Sequence, residues 1–450
     1  MKSLLNDVAV RAGRYLDELQ KRQVFPDANA VERLHELSIP LQAAPIEPAA
    51  VLAELDAVGS PATVGCAGGR YFGFVTGGAL PAALAANMLA ASWDQNASME
   101  IGSPIAAHLE KLCRQWLVQL LGLAPECEVG FVTGATMANF TGLAAARHAV
   151  LEARGWNVER DGLFGAPPIA VIVGEEVHVS LLKALSLLGL GRDRIVRVPV
   201  DRQGRMRASE LPRIDGPTIV CAQAGNVNTG AFDPIDEIAW TIGDKGKGAW
   251  LHVDGAFGLW AAASPQLAHL CQGLERADSI AADGHKWLNV PYDSGLVFVR
   301  DRAALNAAMA SSAAYLMRSD ARDPHLCTPE ISRRARGVEV WAALRSLGTQ
   351  GIAALIERNC RQARRFAAAL SAAGYAILND VVLNQVLVAF GDAERTRRVI
   401  ANIQRDGTCW CGGTQWQGHT AMRISVSSWA TSDEDVEASI DAMLRAAKAS

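Results

Sequence analysis

The spacing of apolar and polar positions divides the chain into three zones of different character. Up to about residue 57, apolar side chains recur at helical intervals in "DVAVRAGRYLDELQKR", "AVERLHEL" and "AAVLAELDAV", with prolines between them. These helices are too short to make a core alone. In the middle of the chain, short apolar runs alternate with helical patterns: "GFVTG", "IAVIVGEE", "RIVRVPV", "TIVCAQAG", "AWLHVDGA", "SIAADG" and "GLVFVR". That alternation predicts parallel strands joined by helices, an α/β layered domain. From residue 348 the pattern becomes a long helix ("GIAALIERNCRQARRFAAALSAAG"), a strand ("LNQVLVAF"), another helix and "AMRISVSSW", a smaller α+β domain. The expected division is a helical segment 1–78, a large α/β domain 79–347 and a small domain 348–450, with no internal repeat.

Composition narrows the partners. Half of the 450 residues are hydrophobic, and 43 basic against 47 acidic side chains give a formal charge of −4 with no long run of one sign. No basic footprint for nucleic acid or an anionic membrane is present, so a small molecule or another subunit is the expected partner. Nine cysteines are scattered without C-x-x-C spacing, which reads as reduced thiols of a cytoplasmic protein and no metal site. Cys409 and Cys411 in "CWCGG" have no second pair beside them. Asp7 and Arg11 interrupt any signal-peptide core, and "GGALPAALAANMLAAS" is too short to span a bilayer.

Candidate chemistry gathers at the ends of the middle strands, where open α/β sheets bind ligands. "GFVTG" runs into "ATMANFTGLAAARHAV", where Gly134 lets the backbone approach a ligand and Thr136 adds a hydroxyl at a helix N-terminus suited to phosphate. His178 stands at a strand-to-helix transition, Asp254 ends the strand of "AWLHVDGAFG", and Lys286 follows that of "SIAADGHKWLNV". Singly, each has an ordinary reading: a tight turn, a cap, a hydrated carboxylate, a solvated strand end. A carboxylate at a buried strand end must nevertheless be paired, hydrated or ligand-bound. Together at one sheet edge these groups suit pyridoxal phosphate, with Lys286 forming the Schiff base, Asp254 keeping the pyridine nitrogen protonated and His178 stacked on the ring.

The blocks "RYFGFVTGGALPAALAANMLAASWDQN", "EEVHVSLLKAL", "WLHVDGAFG", "DGHKWLNVPYDSG" and "MRISVSSWATSDEDV" resemble the group II pyridoxal-phosphate decarboxylases, the family of aromatic amino acid, histidine and glutamate decarboxylases. The resemblance covers nearly the whole chain in order. It implies a fold-type I architecture with a mostly parallel central sheet between helices, a homodimer with intertwined N-terminal segments, and an active site at the subunit interface. Residue by residue it implies that Gly134, Ala135 and Thr136 hold the phosphate with help from His285, that Ala256 flanks the ring face opposite His178, and that Asp254 and Lys286 act as above. Tyr71, Phe72, Phe74 and Thr76 match a substrate-pocket segment, with packing as the alternative. Arg423 matches an arginine that orients a carboxylate, with a structural ion pair as the alternative. Asn228 and Gly230 lie in a segment near the cofactor. The implied reaction converts an L-amino acid, aromatic ones among the candidates, to its amine and CO2.

Three departures stand out. Asp283-Gly284-His285-Lys286 replaces a frequent Asn-Pro-His-Lys and places a carboxylate near the phosphate position. "LMRSDARDPHLCTPEI", which matches the family's mobile catalytic loop, lacks the tyrosine that returns a proton to Cα. Of its alternatives, His325 and Cys327, His325 has the ordinary pKa suited to that transfer and is the expected general acid; the alternative is a solvated loop histidine, with water or a group from elsewhere as the proton donor. Trp429 replaces a polar residue after the C-terminal arginine strand. These departures leave open an aldehyde-forming amine oxidation, a carbon–carbon lyase or an aminotransferase on the same fold. A non-catalytic binding protein is the further alternative, and the joint presence of Lys286, Asp254 and His178 speaks against it.

Overall fold

The seven apolar runs of the middle zone assemble into one sheet. The computed structural model describes residues 1–243, 248–310 and 322–450, which form two compact units: one of residues 77–363 and 379–385, the other of residues 1–76, 364–378 and 386–450.

The larger unit holds β1 (Glu128–Val132), β2 (Ala170–Gly174), β3 (Val196–Val198), β4 (Thr218–Gln223), β5 (Ala249–Asp254), β6 (Ser279–Asp283) and β7 (Gly295–Val299) in the order β1-β7-β6-β5-β4-β2-β3. The pairs β2·β3, β2·β4, β4·β5 and β5·β6 are parallel, as the alternating pattern predicts. The exception is β7, antiparallel to both β1 and β6. Parallel pairing needs a crossover of a dozen residues or more, usually helical, and the stretch 284–294 contains no helix. Because β7 reverses direction between them, β1 and β6 point the same way. The carboxyl ends of β1, β2, β4, β5 and β6 therefore share one edge.

The helix Ala135–Glu152 leaves that edge and lies on the sheet, with Leu143, Ala145, Ala146 and Val150 in one core with Val171, Ile219 and Cys221. Small residues set the spacing: a β-carbon at Gly142 would sit 3.0 Å from the His252 ring and 3.2 Å from Ser279. The helix Pro81–Trp93 is apolar around much of its circumference, yet only Ala83 and Ala90 are buried, and Met88, Leu89 and Trp93 are exposed.

The other unit contains β8 (Ala376–Ile377), β9 (Gln385–Ala389), β10 (Gly412–Trp416) and β11 (His419–Ser425), in the order β10-β11-β9-β8. Here β8 and β10 were not legible: the first has two residues, and the second, "GGTQW", lacks an apolar alternation. The helix Asp433–Lys448 starts from a capping box between Ser432 and Asp435. The N-terminal helix Lys2–Glu18 buries none of its residues.

Candidate active site

At the end of β1 the chain turns through Gly134 into the helix Ala135–Glu152, whose N-cap position is that glycine and so brings no side chain of its own. Its first amide, Ala135 N–H, donates to Asp283 Oδ1 at 2.5 Å. The other oxygen of Asp283 lies 3.0 Å from Lys286 Nζ, and His285 Nε2 is 3.4 Å from Oδ1. His285 Nδ1 accepts from Ser294 N–H at 3.2 Å, so a neutral ring carries its proton on Nε2, toward Asp283. Burial lowers the His285 pKa against the opposing pull of Asp283, which favours that neutral form. The ring stacks on Tyr292 at 4.3 Å. Space is tight: a β-carbon at Gly134 would lie 3.0 Å from His285, one at Gly295 would meet the Gly134 backbone at 2.4 Å, and one at Gly77 would collide with the Lys286 carbonyl. The carboxylate flagged by the departure from Asn-Pro-His-Lys thus sits at the helix N-terminus and forms an ion pair with the lysine.

Asp254, at the carboxyl end of β5, is 5% exposed. Its Oδ1 accepts from Ala256 N–H and its Oδ2 from Asn139 Nδ2, both at 3.1 Å. Among the described residues no cation pairs with it. A buried carboxylate with two neutral donors and no counter-charge suits a protonated heteroaromatic nitrogen. Ala256 is fixed in turn by its carbonyl, which accepts from Asp283 N–H at 2.9 Å.

His178 caps the helix Val179–Leu187: its Nδ1 accepts from Ser180 N–H at 3.3 Å and faces Ser180 Oγ at 2.7 Å. The cap expected for an ordinary histidine is present, and it also fixes the ring at the same sheet edge as Asp254. Asn228 donates its backbone N–H to Asn226 Oδ1 at 2.9 Å, and Gly230 holds a left-handed φ of 76°; both shape a turn.

The residues expected to contact substrate lie in the other unit. Phe72 is fully buried, edge-on to Phe366, and its carbonyl accepts from Ser425 N–H. Tyr71 stacks on Trp410 at 5.1 Å, and Phe74, 5.5 Å from the same indole, is 64% exposed. Phe74 and Val75 both have left-handed φ values, 53° and 60°, an unusual conformation for non-glycine residues. Thr76 is buried. Arg423, on β11, is largely buried and its pKa is lowered by that burial alone. No carboxylate pairs with it among the described residues, so the ion-pair alternative is not realised there.

Of the segment 316–331, residues 316–321 lie outside the described residues. The rest includes a 3-10 turn, Pro324–Cys327, where a loop without regular structure was expected. His325 is buried in that turn, with its backbone N–H and Nδ1 directed at the Ser98 carbonyl at 3.0 and 3.2 Å. Arg322 anchors the turn through Glu128 at 2.7 Å and the Val129 carbonyl. Among the described residues no hydrogen bond or ion pair joins His325 to Lys286 or Asp254. Asn139, His252 and Ser279 are the polar residues that sequence reasoning missed.

The donor set fits pyridoxal phosphate: a helix N-terminus with a histidine N–H beside it for the phosphate, an amine for the aldehyde, and a carboxylate with no cationic partner among the described residues for the ring nitrogen. The sequence profile of the pyridoxal-dependent decarboxylase conserved domain matches residues 66–391. An aromatic-L-amino-acid decarboxylase of Bacillus atrophaeus is 30% identical over 68% of this chain and 63% of that enzyme. An L-2,4-diaminobutyrate decarboxylase of Rhizobium meliloti is 30% identical over 80% of this chain and 74% of that enzyme. These matches to curated relatives span between 46% and 75% of the relatives' lengths. In fold, the chain superposes along its whole length on 97% of Oryza sativa TDC, solved with PLP and tryptamine, with a TM-score of 0.91 at 21% identity.

Proposed function

Because this chain belongs to the pyridoxal-dependent decarboxylase family, we propose that it converts an L-amino acid to its amine and CO2, with Lys286 as the residue that carries the cofactor. The observation that carries this reading is the cluster at one sheet edge: Lys286 Nζ 3.0 Å from Asp283, the Ala135 helix N-terminus on the same carboxylate, and Asp254 buried with no cation beside it among the described residues. When bound, the cofactor supplies the electron sink that makes loss of CO2 feasible. Around it, Ala135, Thr136 and His285 bind the phosphate, Gly134 keeps the turn open, and His178 and Ala256 hold the two ring faces. Asp254 keeps a proton on the ring nitrogen.

Arg423, which no carboxylate pairs among the described residues, supplies a guanidinium for a substrate carboxylate. Tyr71, Phe74 and Trp410 form an aromatic cluster suited to an aromatic side chain, and the strained backbone at Phe74 and Val75 fits a functional rather than a packing segment. We assign the proton donor to His325. Its Nδ1 faces the Ser98 carbonyl, which leaves Nε2 as the atom that would transfer a proton. The same engagement of His325 favours a second reading, in which weak protonation of Cα lets dioxygen take two electrons there and be reduced to hydrogen peroxide, so that aldehyde and ammonia form beside amine. Measuring CO2, amine, aldehyde and ammonia across the amino acids decides between them: amine equal to CO2 supports decarboxylation, and aldehyde with ammonia supports the oxidative reaction. His325→Phe should raise the aldehyde share; an unchanged product ratio removes His325 from the proton step.

The assembly we propose is a homodimer. Leu5, Val10 and Leu16 on the N-terminal helix and Met88, Leu89 and Trp93 on the helix Pro81–Trp93 are exposed, and a second copy would cover them. Light scattering should give twice the chain mass. All nine cysteines are free, eight of them buried, and among the described residues no helix is long and apolar enough to cross a membrane; both fit a cytoplasmic enzyme.

A further inference from the structure

A buried hydrogen-bond chain runs from the middle of the sheet to Asp254. The indole Nε1 of Trp250 is 2.8 Å from Ser279 Oγ, which is 2.8 Å from His252 Nδ1. His252 Nε2 is 2.8 Å from Asn139 Oδ1, and Asn139 Nδ2 is 3.1 Å from Asp254 Oδ2. His252, Asn139, Ser279 and Trp250 are each no more than 5% exposed, so water does not substitute for a missing partner. The sequence places three members on one strand face, because Trp250, His252 and Asp254 alternate along β5. Ser279 is the register partner of His252 on β6.

Each proton in the chain has one possible place. A carboxylate only accepts, so Asn139 must turn its NH2 to Asp254 and its oxygen to His252. His252 Nε2 must then carry a hydrogen. The ring is neutral, since full burial pushes its pKa down to about 3, so Nδ1 is bare and accepts from the Ser279 hydroxyl. Ser279 Oγ accepts from the indole, which can only donate. The chain starts at a group that only donates and ends at one that only accepts, with every bond pointing toward Asp254. It brings no net charge, so it steadies the carboxylate without competing with a ring cation for it.

We propose that Asn139 is a positioning residue which, backed by His252, Ser279 and Trp250, holds the Asp254 carboxylate in one orientation and so sets how firmly the cofactor's ring nitrogen keeps its proton. The proposal rests on the assignment of Asp254 to that nitrogen. Loss of one hydrogen bond to a buried carboxylate predicts about a tenfold fall in kcat for Asn139→Ala with KM little changed.

The test is the solid-state 15N spectrum of protein loaded with pyridoxal phosphate labelled at the ring nitrogen, recorded for the parent, Asn139→Ala, Ser279→Ala and Asp254→Asn. The parent should show a protonated nitrogen, Asp254→Asn a largely neutral one, and Asn139→Ala an intermediate position. Ser279→Ala should shift the same way by less, and it carries the test if Asn139→Ala does not fold. A parent-like signal in the Asn139 and Ser279 variants, with Asp254→Asn shifted, overturns the positioning role and leaves the Asp254 assignment standing. A parent-like signal in Asp254→Asn removes the assignment itself, and the inference with it.

Discussion

The two ends of the candidate cofactor site are built on opposite principles. At the ring end, Asp254 is held by neutral donors whose orientations are fixed from the protein interior outward. At the phosphate end, Asp283, Lys286, His285 and a helix N-terminus form a charged cluster in which one carboxylate serves three neighbours. Removing a partner from the first leaves a buried group unsatisfied. Removing a charge from the second changes which anion the helix N-terminus favours. On the proposed assignment the ring end would tune chemistry and the phosphate end affinity.

The largest expected effect breaks both ends at once. Lys286→Ala should abolish the lysine-bound cofactor band and reduce turnover on the order of a thousandfold or more, measured by absorbance and amine release. Next, Asp254→Asn should retain cofactor while losing roughly a hundredfold or more in rate; near-normal turnover would make Asp254 merely structural.

The third effect is on stability. His252 is held neutral, with a folded-state pKa depressed to about 3 from 6.5. Below pH 6.5 the unfolded chain takes up a proton that the folded protein refuses, so stability falls as pH drops toward 3. By pH 5 the loss from this group is about 2 kcal/mol. Urea unfolding at pH 7.5 and 5 should show that loss in the parent, and His252→Phe should have a shallower acid slope. An identical slope would place the acid sensitivity elsewhere. The smallest effect sharpens the phosphate end: Asp283→Asn removes a negative charge from an anion-binding helix terminus and should tighten cofactor binding about tenfold, read by fluorescence titration. Weaker binding would show that the carboxylate supports the site through Lys286.

Much of the phosphate end was legible because its residues are neighbours in sequence: Asp283 to Lys286 occupy one turn, and Gly134 to Thr136 another. The sheet was legible for a similar reason, since each strand of the larger unit is an apolar run bounded by turns. The antiparallel setting of β7 was not, because direction depends on the length and helicity of the connection rather than on the strand. Asn139 was missed because its partner is 115 positions away, and within its helix it reads as one polar residue among alanines. His252 was missed although "WLHVD" displays the period-two face, since an internal histidine has no partner until β6 and the helix are placed beside it. For His325 the residue type was readable and the placement was not: a segment without periodicity gives no sign of the buried turn that sets it against Ser98.

The central claim is that Lys286 carries the cofactor. Borohydride reduction of the cofactor-loaded protein, followed by proteolysis and mass mapping, tests it most directly. The account predicts one modified peptide, containing "DGHKWLNV" with the pyridoxyl group on Lys286; modification of a different lysine, or of none, would contradict it.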